Sequence, residues 1–198
     1  MAQTGSIVAW GDDGQGTVSG VPAGSDFVAV AAGAFHAIAL RSDGTIVHWG
    51  SGTSGQHLVP GGAFVAIASG AHHCYALRAD GSLVGWGRNF EDQINVPSGT
   101  FKEVAAGDLH GVAIRTDGSL AAWGFSFFGN LNVPPGNDYK KVAAGLYFGL
   151  ALRTDSSIAA WGVMNGAAAT APSGFDFVAI AAGREHAVAL RSDGSLVA

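Results

Sequence analysis

The chain has 198 residues, of which 48% are hydrophobic and 13% charged, so it is expected to fold as a globular domain with a sizeable core. Its formal net charge of −5 argues against a nucleic-acid surface, which needs clustered basic side chains. The single cysteine excludes an internal disulfide framework, and no apolar stretch approaches the length of a membrane span.

The first predicted strand, residues 5–11, reads "GSIVAWG" and recurs along the chain. Further copies begin at residues 44, 81, 118 and 156, and a partial copy, "GSLVA", begins at residue 194. No basic region followed by an apolar run precedes the first copy, so no signal peptide is visible. A cytoplasmic and a secreted protein both fit, and the localisation is unknown.

Two more strands are predicted between successive copies. Residues 27–33, "FVAVAAG", alternate large and small apolar side chains, and His36 opens a second run, "HAIALRS". Asp43-Gly44 is a hairpin signal for which we predict a type I′ turn leading into the next copy. A link that contains proline precedes each first strand, which disfavours a central strand there (Pro22, Pro60, Pro97, Pro134 and Pro172).

Short strands with a period of about 38 residues and no helical pattern are typical of β-propeller blades. We therefore predict an all-β fold, a single propeller domain over residues 1–198 with five blades closed by terminal strands. Residues 194–198 are expected to form the third strand of the last blade, with residues 5–11 outside it or paired with another molecule. The alternative is an open arc whose unpaired edges join chains into a homo-oligomer.

The repeated motifs resemble those of a known family. Asp-Gly-x-x-x-x-Trp-Gly and Ala-Ala-Gly-x-x-His-x-x-Ala-Leu are similar to the repeat of the regulator of chromosome condensation family. The short period resembles its bacterial branch, to which a propeller-type β-lactamase inhibitor protein belongs. The resemblance implies a propeller that binds another protein, with enzyme inhibition as one version. It also implies seven blades, whereas this chain has five repeats.

Three residue types recur once per repeat, and each has a structural interpretation and a functional alternative. The tryptophans are expected to pack between blades, with light sensing as the alternative (Trp10, Trp49, Trp86, Trp123 and Trp161). The histidines are expected to stabilise turns, since Phe148 replaces one of them, with metal binding as the alternative (His36, His73, His110 and His186). The arginines are expected to pair with the aspartates of the Asp-Gly turns (Arg41, Arg78, Arg115, Arg153 and Arg191).

Three short motifs resemble functional sites, but each lacks a feature that such a site requires. "GSGTSG", residues 50–55, matches a nucleotide fingerprint, but the following "QHLVP" cannot open a helix. "HHC", residues 72–74, offers metal-ligand types that alternate between the two faces of a strand. "DDGQG", residues 12–16, lacks the spaced ligands of a calcium loop. We therefore predict no catalytic residue, no metal and no cofactor, and a protein that is not an enzyme.

The positions that the repeat does not fix fall in the turns after Ala-Ala-Gly and in the loops after Trp-Gly. The direction of the strands puts both sets on one face of the propeller, where binding proteins carry their variable loops. Six apolar residues on this face are predicted to bind a partner protein (Phe90, Phe125, Phe127, Phe128, Leu146 and Tyr147). Two alternatives remain open: "FSFF", residues 125–128, could fold back on its own blade, or the face could bind carbohydrate in the manner of a lectin.

Overall fold

The computed structural model describes residues 4–198, which form five antiparallel sheets in chain order. Each sheet is one propeller blade. The strands are β1 (Phe27–Ala32), β2 (His36–Arg41) and β3 (Ile46–Gly50) in blade 1; β4 (Ala66–Ser69), β5 (His73–Leu77) and β6 (Leu83–Gly87) in blade 2; β7 (Phe101–Ala106), β8 (His110–Arg115) and β9 (Leu120–Gly124) in blade 3; β10 (Tyr139–Ala144), β11 (Phe148–Arg153), β12 (Ile158–Met164) and β13 (Ala167–Ala168) in blade 4; β14 (Phe177–Ala182), β15 (Ala187–Arg191) and β16 (Leu196–Val197) in blade 5. The all-β fold and the five blades are confirmed.

Each blade presents large side chains to the following blade and small ones with a tryptophan to the preceding blade. Between blades 2 and 3, Tyr75 and Leu77 pack against Ala113 and Trp123. The indole fills the space that the small residues leave, and the same pattern gives a core between blades 1 and 2 and between blades 3 and 4. The prediction that tryptophan packs between blades therefore holds for Trp86, Trp123 and Trp161. Trp49 is buried against its own blade and Ile7 of the N-terminal segment, and Trp10 has 85% of its surface exposed.

A glycine follows each inner strand because the blades meet closely there. A Cβ added to Gly107 would overlap both the carbonyl oxygen of Gly145 in the next blade and the imidazole of His110. The ends of the inner strands of all five blades line one cavity of about 370 Å³. Alanine and glycine in these strands are thus explained by crowding at the centre of the propeller.

The Asp-Gly turns differ from the predicted type I′ turn. Gly44 has φ 84° but Asp43 does not have a positive φ, and the amide of Gly44 donates to the carbonyl of Arg41 at 3.0 Å. This is a type I turn followed by a glycine bulge. The Asp43 carboxylate accepts hydrogen bonds from the amide and hydroxyl of Thr45, and these bonds lower its pKa.

The prediction that the arginines pair with the turn aspartates is also wrong. Arg41 Nη1 lies 2.7 Å from the carboxylate of Asp26, which precedes β1, and its guanidinium stacks over the ring of Phe27. Arg153 and Arg191 repeat this pairing with the aspartates before β10 and β14. The turn aspartates are engaged by neighbouring serine or threonine, as Asp43 is by Thr45, which leaves the earlier aspartate as the partner.

Of the two terminal segments predicted to take part in closure, only the C-terminal one joins blade 5. Leu196 and Val197 pair with β15 as the third strand of blade 5, as predicted. Residues 5–11 do not join that blade: Gly5 forms a single bridge with Phe27 at the edge of blade 1, with both backbone hydrogen bonds made. The two ends of the chain are therefore not paired with each other within residues 4–198, because the backbone groups of Gly5 are already satisfied in blade 1.

The repeated histidines are structural in blades 1 to 3. His36, His73 and His110 are at most 1% exposed, and each ring packs against the glycine three residues earlier. Phe148 takes the same place in blade 4, whereas His186 in blade 5 is exposed. Burial is the main cause that lowers the pKa of His36 to about 4, of His73 to about 3 and of His110 to about 4.

These histidines predict a loss of stability in mild acid. Each has a pKa in the folded state below its unfolded value of about 6.5, so the folded protein binds fewer protons between pH 6.5 and about 4. The stabilisation is complete above pH 6.5 and declines as the pH falls through that window. Urea unfolding at pH 7.5, 6 and 4.5 should show this, and His73→Phe, which places in blade 2 the ring that Phe148 provides in blade 4, should flatten the slope. An unchanged slope in that variant would contradict the assignment.

Candidate binding surface

The two sets of variable segments lie side by side on one face, which we call the loop face. It comprises the turns 34–35, 71–72, 108–109, 146–147 and 184–185, and the loops 51–58, 88–95, 125–132 and 163–170. The first residue of each loop donates its amide hydrogen to the carbonyl of the adjacent turn, as Phe125 does to Leu109 at 3.0 Å. The Asp-Gly turns contact the start of the next inner strand on the opposite face, as Gly44 does through Phe64.

A feature that the sequence analysis missed holds the loops in place. In blades 1 to 4, the tryptophan of the third strand donates its indole N–H to a backbone carbonyl in the preceding loop, at the seventh residue after the tryptophan that precedes that loop. The pairs are Trp49 with Thr17, Trp86 with Gln56, Trp123 with Gln93, and Trp161 with Asn130, at 2.8–3.0 Å. Three of the four residues that provide these carbonyls have amide side chains and are fully buried: Gln56, Gln93 and Asn130. These amide residues recur seven positions after a tryptophan, and this regular spacing is the sequence pattern from which the contact could have been predicted.

Four of the six predicted binding residues form one aromatic cluster: Phe125, Phe127, Phe128 and Tyr147. Ring centroids lie 5.2 Å apart for Phe127 and Phe128, 4.4 Å apart for Phe128 and Tyr147, and 5.7 Å apart for Phe125 and Tyr147. The cluster joins the loop of blade 3 to the turn of blade 4. Phe127 is 76% exposed and Phe128 37% exposed, so the loop does not bury its rings in its own blade.

The other two predicted residues lie outside this cluster. Phe90 is 86% exposed and stacks with the guanidinium of Arg88 at 5.0 Å. Leu146 is buried, because its backbone amide donates to the carbonyl of Arg184 and draws the turn against blade 5. Leu146 can therefore contribute only to the floor of a small pocket.

That pocket has a volume of about 190 Å³ and adjoins the aromatic cluster. Its lining includes Phe128, Leu146 and Tyr147 on one side and Asn165 and Glu185 on the other. An apolar wall that faces an amide and a carboxylate can accept a side chain with an apolar stem and a polar or cationic end.

The polar surroundings of the cluster include an ion pair between blades. Arg184 Nε lies 3.1 Å from a carboxylate oxygen of Asp108, and its guanidinium also contacts Glu185. Arg184 and Glu185 are largely solvent-exposed, so these pairs contribute little stability. Glu185 lines the small pocket together with Phe128 and Tyr147, so a charged group lies beside the aromatic cluster, as in an interface with an apolar centre and a polar rim.

The part of the chain that the structure describes, residues 4–198, contains neither a cluster of metal ligands nor a helix that could span a membrane. No group of three or more histidine, cysteine or carboxylate side chains there could hold a metal ion. No helix in that part of the chain is long and apolar enough to cross a membrane.

Antiparallel three-stranded blades around a common centre, with variable loops on one face, define a β-propeller repeat protein. More specifically, this chain carries regulator of chromosome condensation (RCC1) repeats, which match residues 27–56, 64–93 and 101–130. The bacterial branch suggested by the short period stays a prediction. No curated protein sequence matches the chain.

Solved structures share the fold. The entire ectodomain of the receptor kinase CR4 from Physcomitrella patens has a TM-score of 0.76 and 26% identity, over 92% of this chain and 52% of that one. The CRINKLY WD40 ectodomain of the receptor kinase ACR4 from Arabidopsis thaliana has a TM-score of 0.73 and 24% identity, over 85% of this chain and 62% of that one. The structure of yeast RCC1 (Prp20) bound to Kap60 has a TM-score of 0.71 and 20% identity, over 86% of this chain and 55% of that one. The chain thus spans less than two thirds of the length of these structures.

Proposed function

We propose that this protein is a non-enzymatic scaffold that holds another protein on its loop face through the aromatic cluster. The observation that carries the proposal is the contiguous set of four rings with Phe127 exposed at its tip. Aromatic side chains in a patch with a polar rim are the usual anchors of protein–protein interfaces. The adjoining pocket would take one side chain of the partner.

The structural neighbours support this class of function by analogy alone. Yeast RCC1 (Prp20) was crystallised with Kap60, and a second study of Prp20p describes its binding to Gsp1p and histones. These are properties of those proteins, and they do not identify the partner of this chain. Inhibition of an enzyme is the version that the bacterial branch would imply.

A lectin-like function is less well supported by the arrangement of the loops. One sugar site per blade would need the same aromatic and polar pair in every blade. The loop of blade 1 has Ser51, Gly52 and Thr53 where the loop of blade 3 has Phe125, Ser126 and Phe127. The cluster is thus a feature of two neighbouring blades and not of the repeat.

The partner can be sought with a photo-reactive phenylalanine analogue at position 127. We expect cross-linking of a protein from the source lysate at this position and none when the analogue replaces Phe175. Phe175 is a suitable control because it is 74% exposed and precedes β14, at the opposite end of the blade from the loop face. Equal capture at both positions, or binding on a glycan array with no protein captured, would contradict the proposal.

The phenylalanines of the cluster should matter for affinity and not for folding. Phe127→Ser combined with Phe128→Ser is expected to weaken binding of the captured protein by about 100-fold, as the loss of two interface anchors does. The melting temperature should stay near that of the parent because Phe127 is exposed and Phe128 partly so. A large fall in melting temperature would instead place these rings in the core.

A further inference from the structure

The small pocket beside the aromatic cluster has the size of one side chain. Its volume of about 190 Å³ is below the roughly 300–1,000 Å³ of pockets that bind whole small molecules. Leu146 and Val163 contribute to its lining, together with the rings of Phe128 and Tyr147, whose centroids lie 4.4 Å apart. The pocket is therefore suited to a single side chain of a protein bound on the loop face.

A hairpin in blade 4 supplies part of the opposite side of the pocket. Its strands are β12 and the additional strand β13, which has no counterpart in the other blades within residues 4–198. Asn165 and Gly166 join the two strands with φ of 47° and 76°, as in a type I′ turn, whose twist matches that of the strands it connects. Both residues line the pocket, so this side is formed by a regular hairpin and not by an irregular loop.

The carboxylate of Glu185 lies on the same side as the hairpin, in a turn that is tied to the two preceding blades. The amide of Leu146 in blade 4 donates to the carbonyl of Arg184 at 2.8 Å. The guanidinium of Arg184 donates to the carboxylate of Asp108 in blade 3 at 3.1 Å. The same guanidinium contacts Glu185 at 3.4 Å. The place of Glu185 at the pocket therefore follows from contacts with blades 3 and 4.

The charges beside the pocket do not cancel. The single guanidinium of Arg184 is shared by the carboxylates of Asp108 and Glu185, so this group has one negative charge in excess. The turns and loops of the loop face contain one other arginine, Arg88, which is paired with Glu91. In all, these segments have four acidic residues, two arginines and no lysine. The excess of negative charge favours a partner that presents a cation.

We propose that the pocket binds a lysine or arginine side chain of the partner protein, with its aliphatic part against Phe128 and Tyr147 and its cationic end at Glu185. This inference rests on the proposed function and names the group that the bound protein places in the pocket. A cation over an aromatic ring is attracted by the electrons of the ring, and the stem of a long basic side chain packs on apolar surface. An acidic side chain would be repelled by Glu185, and an apolar one would remove water from its carboxylate without replacing the lost hydrogen bonds.

Phe127 indicates what accompanies the basic residue in the partner. Its exposed ring lies 5.2 Å from that of Phe128, and it is not part of the pocket lining. A partner that covers both features places an apolar side chain on Phe127 and the basic side chain in the pocket. The partner segment is therefore expected to have a lysine or arginine close to an apolar residue.

A library of random peptides displayed on phage tests this without knowledge of the natural partner. We expect the peptides that bind the parent, and do not bind the variant with Phe127→Ser and Phe128→Ser, to share a lysine or arginine close to an apolar residue. Replacement of that basic residue by norleucine in a synthetic peptide should weaken binding about tenfold in calorimetric titration. Peptides that need both phenylalanines but share no basic residue would overturn this inference and leave the proposed function standing. The absence of any peptide that needs the phenylalanines would contradict both.

A cycle of substitutions then assigns the contact to Glu185. Glu185→Gln should weaken binding of the basic peptide about fivefold, whereas the norleucine peptide should bind the variant and the parent equally. The matched control is Asp92→Asn, which removes the same charge from the loop of blade 2 on the same face, outside the pocket. Asparagine tolerates the φ of 58° at position 92, and this variant should bind the basic peptide as the parent does. Equal weakening by the two variants would mean that only the overall charge of the face matters, and would overturn the assignment to the pocket.

Discussion

Replacement of Trp86 by alanine is expected to lower the free energy of unfolding by about 3–5 kcal/mol, the usual cost of truncating a large buried aromatic side chain. Trp86 is 6% exposed and packs between blades 1 and 2 against Ile38 and Leu40. Its indole N–H also donates to the carbonyl of Gln56 at 2.9 Å. The variant therefore loses both the packing of two blades and the hydrogen bond that holds the first loop.

The matched control for this variant is Phe90→Ala. Phe90 is also a large aromatic residue, but it is 86% exposed, so its truncation should change the free energy of unfolding by less than about 0.5 kcal/mol. Urea unfolding of both variants at pH 7.5 gives the comparison. Equal effects would mean that Trp86 does not hold blades together.

Replacement of Gly107 by alanine is expected to destabilise the protein by about 3 kcal/mol or more, at the upper end of what overpacking costs. The new methyl group would overlap the carbonyl oxygen of Gly145 in the next blade. Because that atom belongs to the backbone, it can move only if blades 3 and 4 separate. The imidazole of His110 closes the other side.

Gly61→Ala is the control for the glycine variant. A Cβ at Gly61 meets no atom within 4 Å, so the same chemical change should leave stability within about 0.5 kcal/mol of the parent. Thermal unfolding of the two variants under identical conditions is sufficient. A Gly107→Ala protein as stable as Gly61→Ala would show that the inner strands are not in close contact.

The repeat made most of the fold predictable. Because Trp10, Trp49 and Trp86 recur with their neighbours at a nearly constant interval, the number of blades and the order of strands could be read directly. The strand at residues 194–198 was also predicted correctly, since Leu196 and Val197 pair with β15. The position of residues 5–11 was left open between two alternatives, and the structure places Gly5 beside Phe27 of blade 1.

Side-chain partners were harder to predict where two candidates had the same chemistry. Arg41 could pair with Asp26 or Asp43 on sequence grounds, and the hydrogen bonds from Thr45 to Asp43 decide in favour of Asp26. The aromatic cluster was predicted as a group, but the burial of Leu146 depends on a backbone hydrogen bond to Arg184 in another blade. No local pattern in the sequence encodes that contact.

The central claim is that a constant scaffold carries a protein-binding loop in blade 3, and an exchange of loops tests it most directly. Residues 125–129, "FSFFG", would be replaced by "SGTSG", the residues at positions 51–55 in blade 1. The two segments have equal length, and each ends in a glycine with positive φ, Gly129 at 73° and Gly55 at 86°. We predict an unchanged melting temperature and a loss of affinity of about 100-fold or more for the protein captured at position 127. Unchanged affinity in a folded variant would contradict the account.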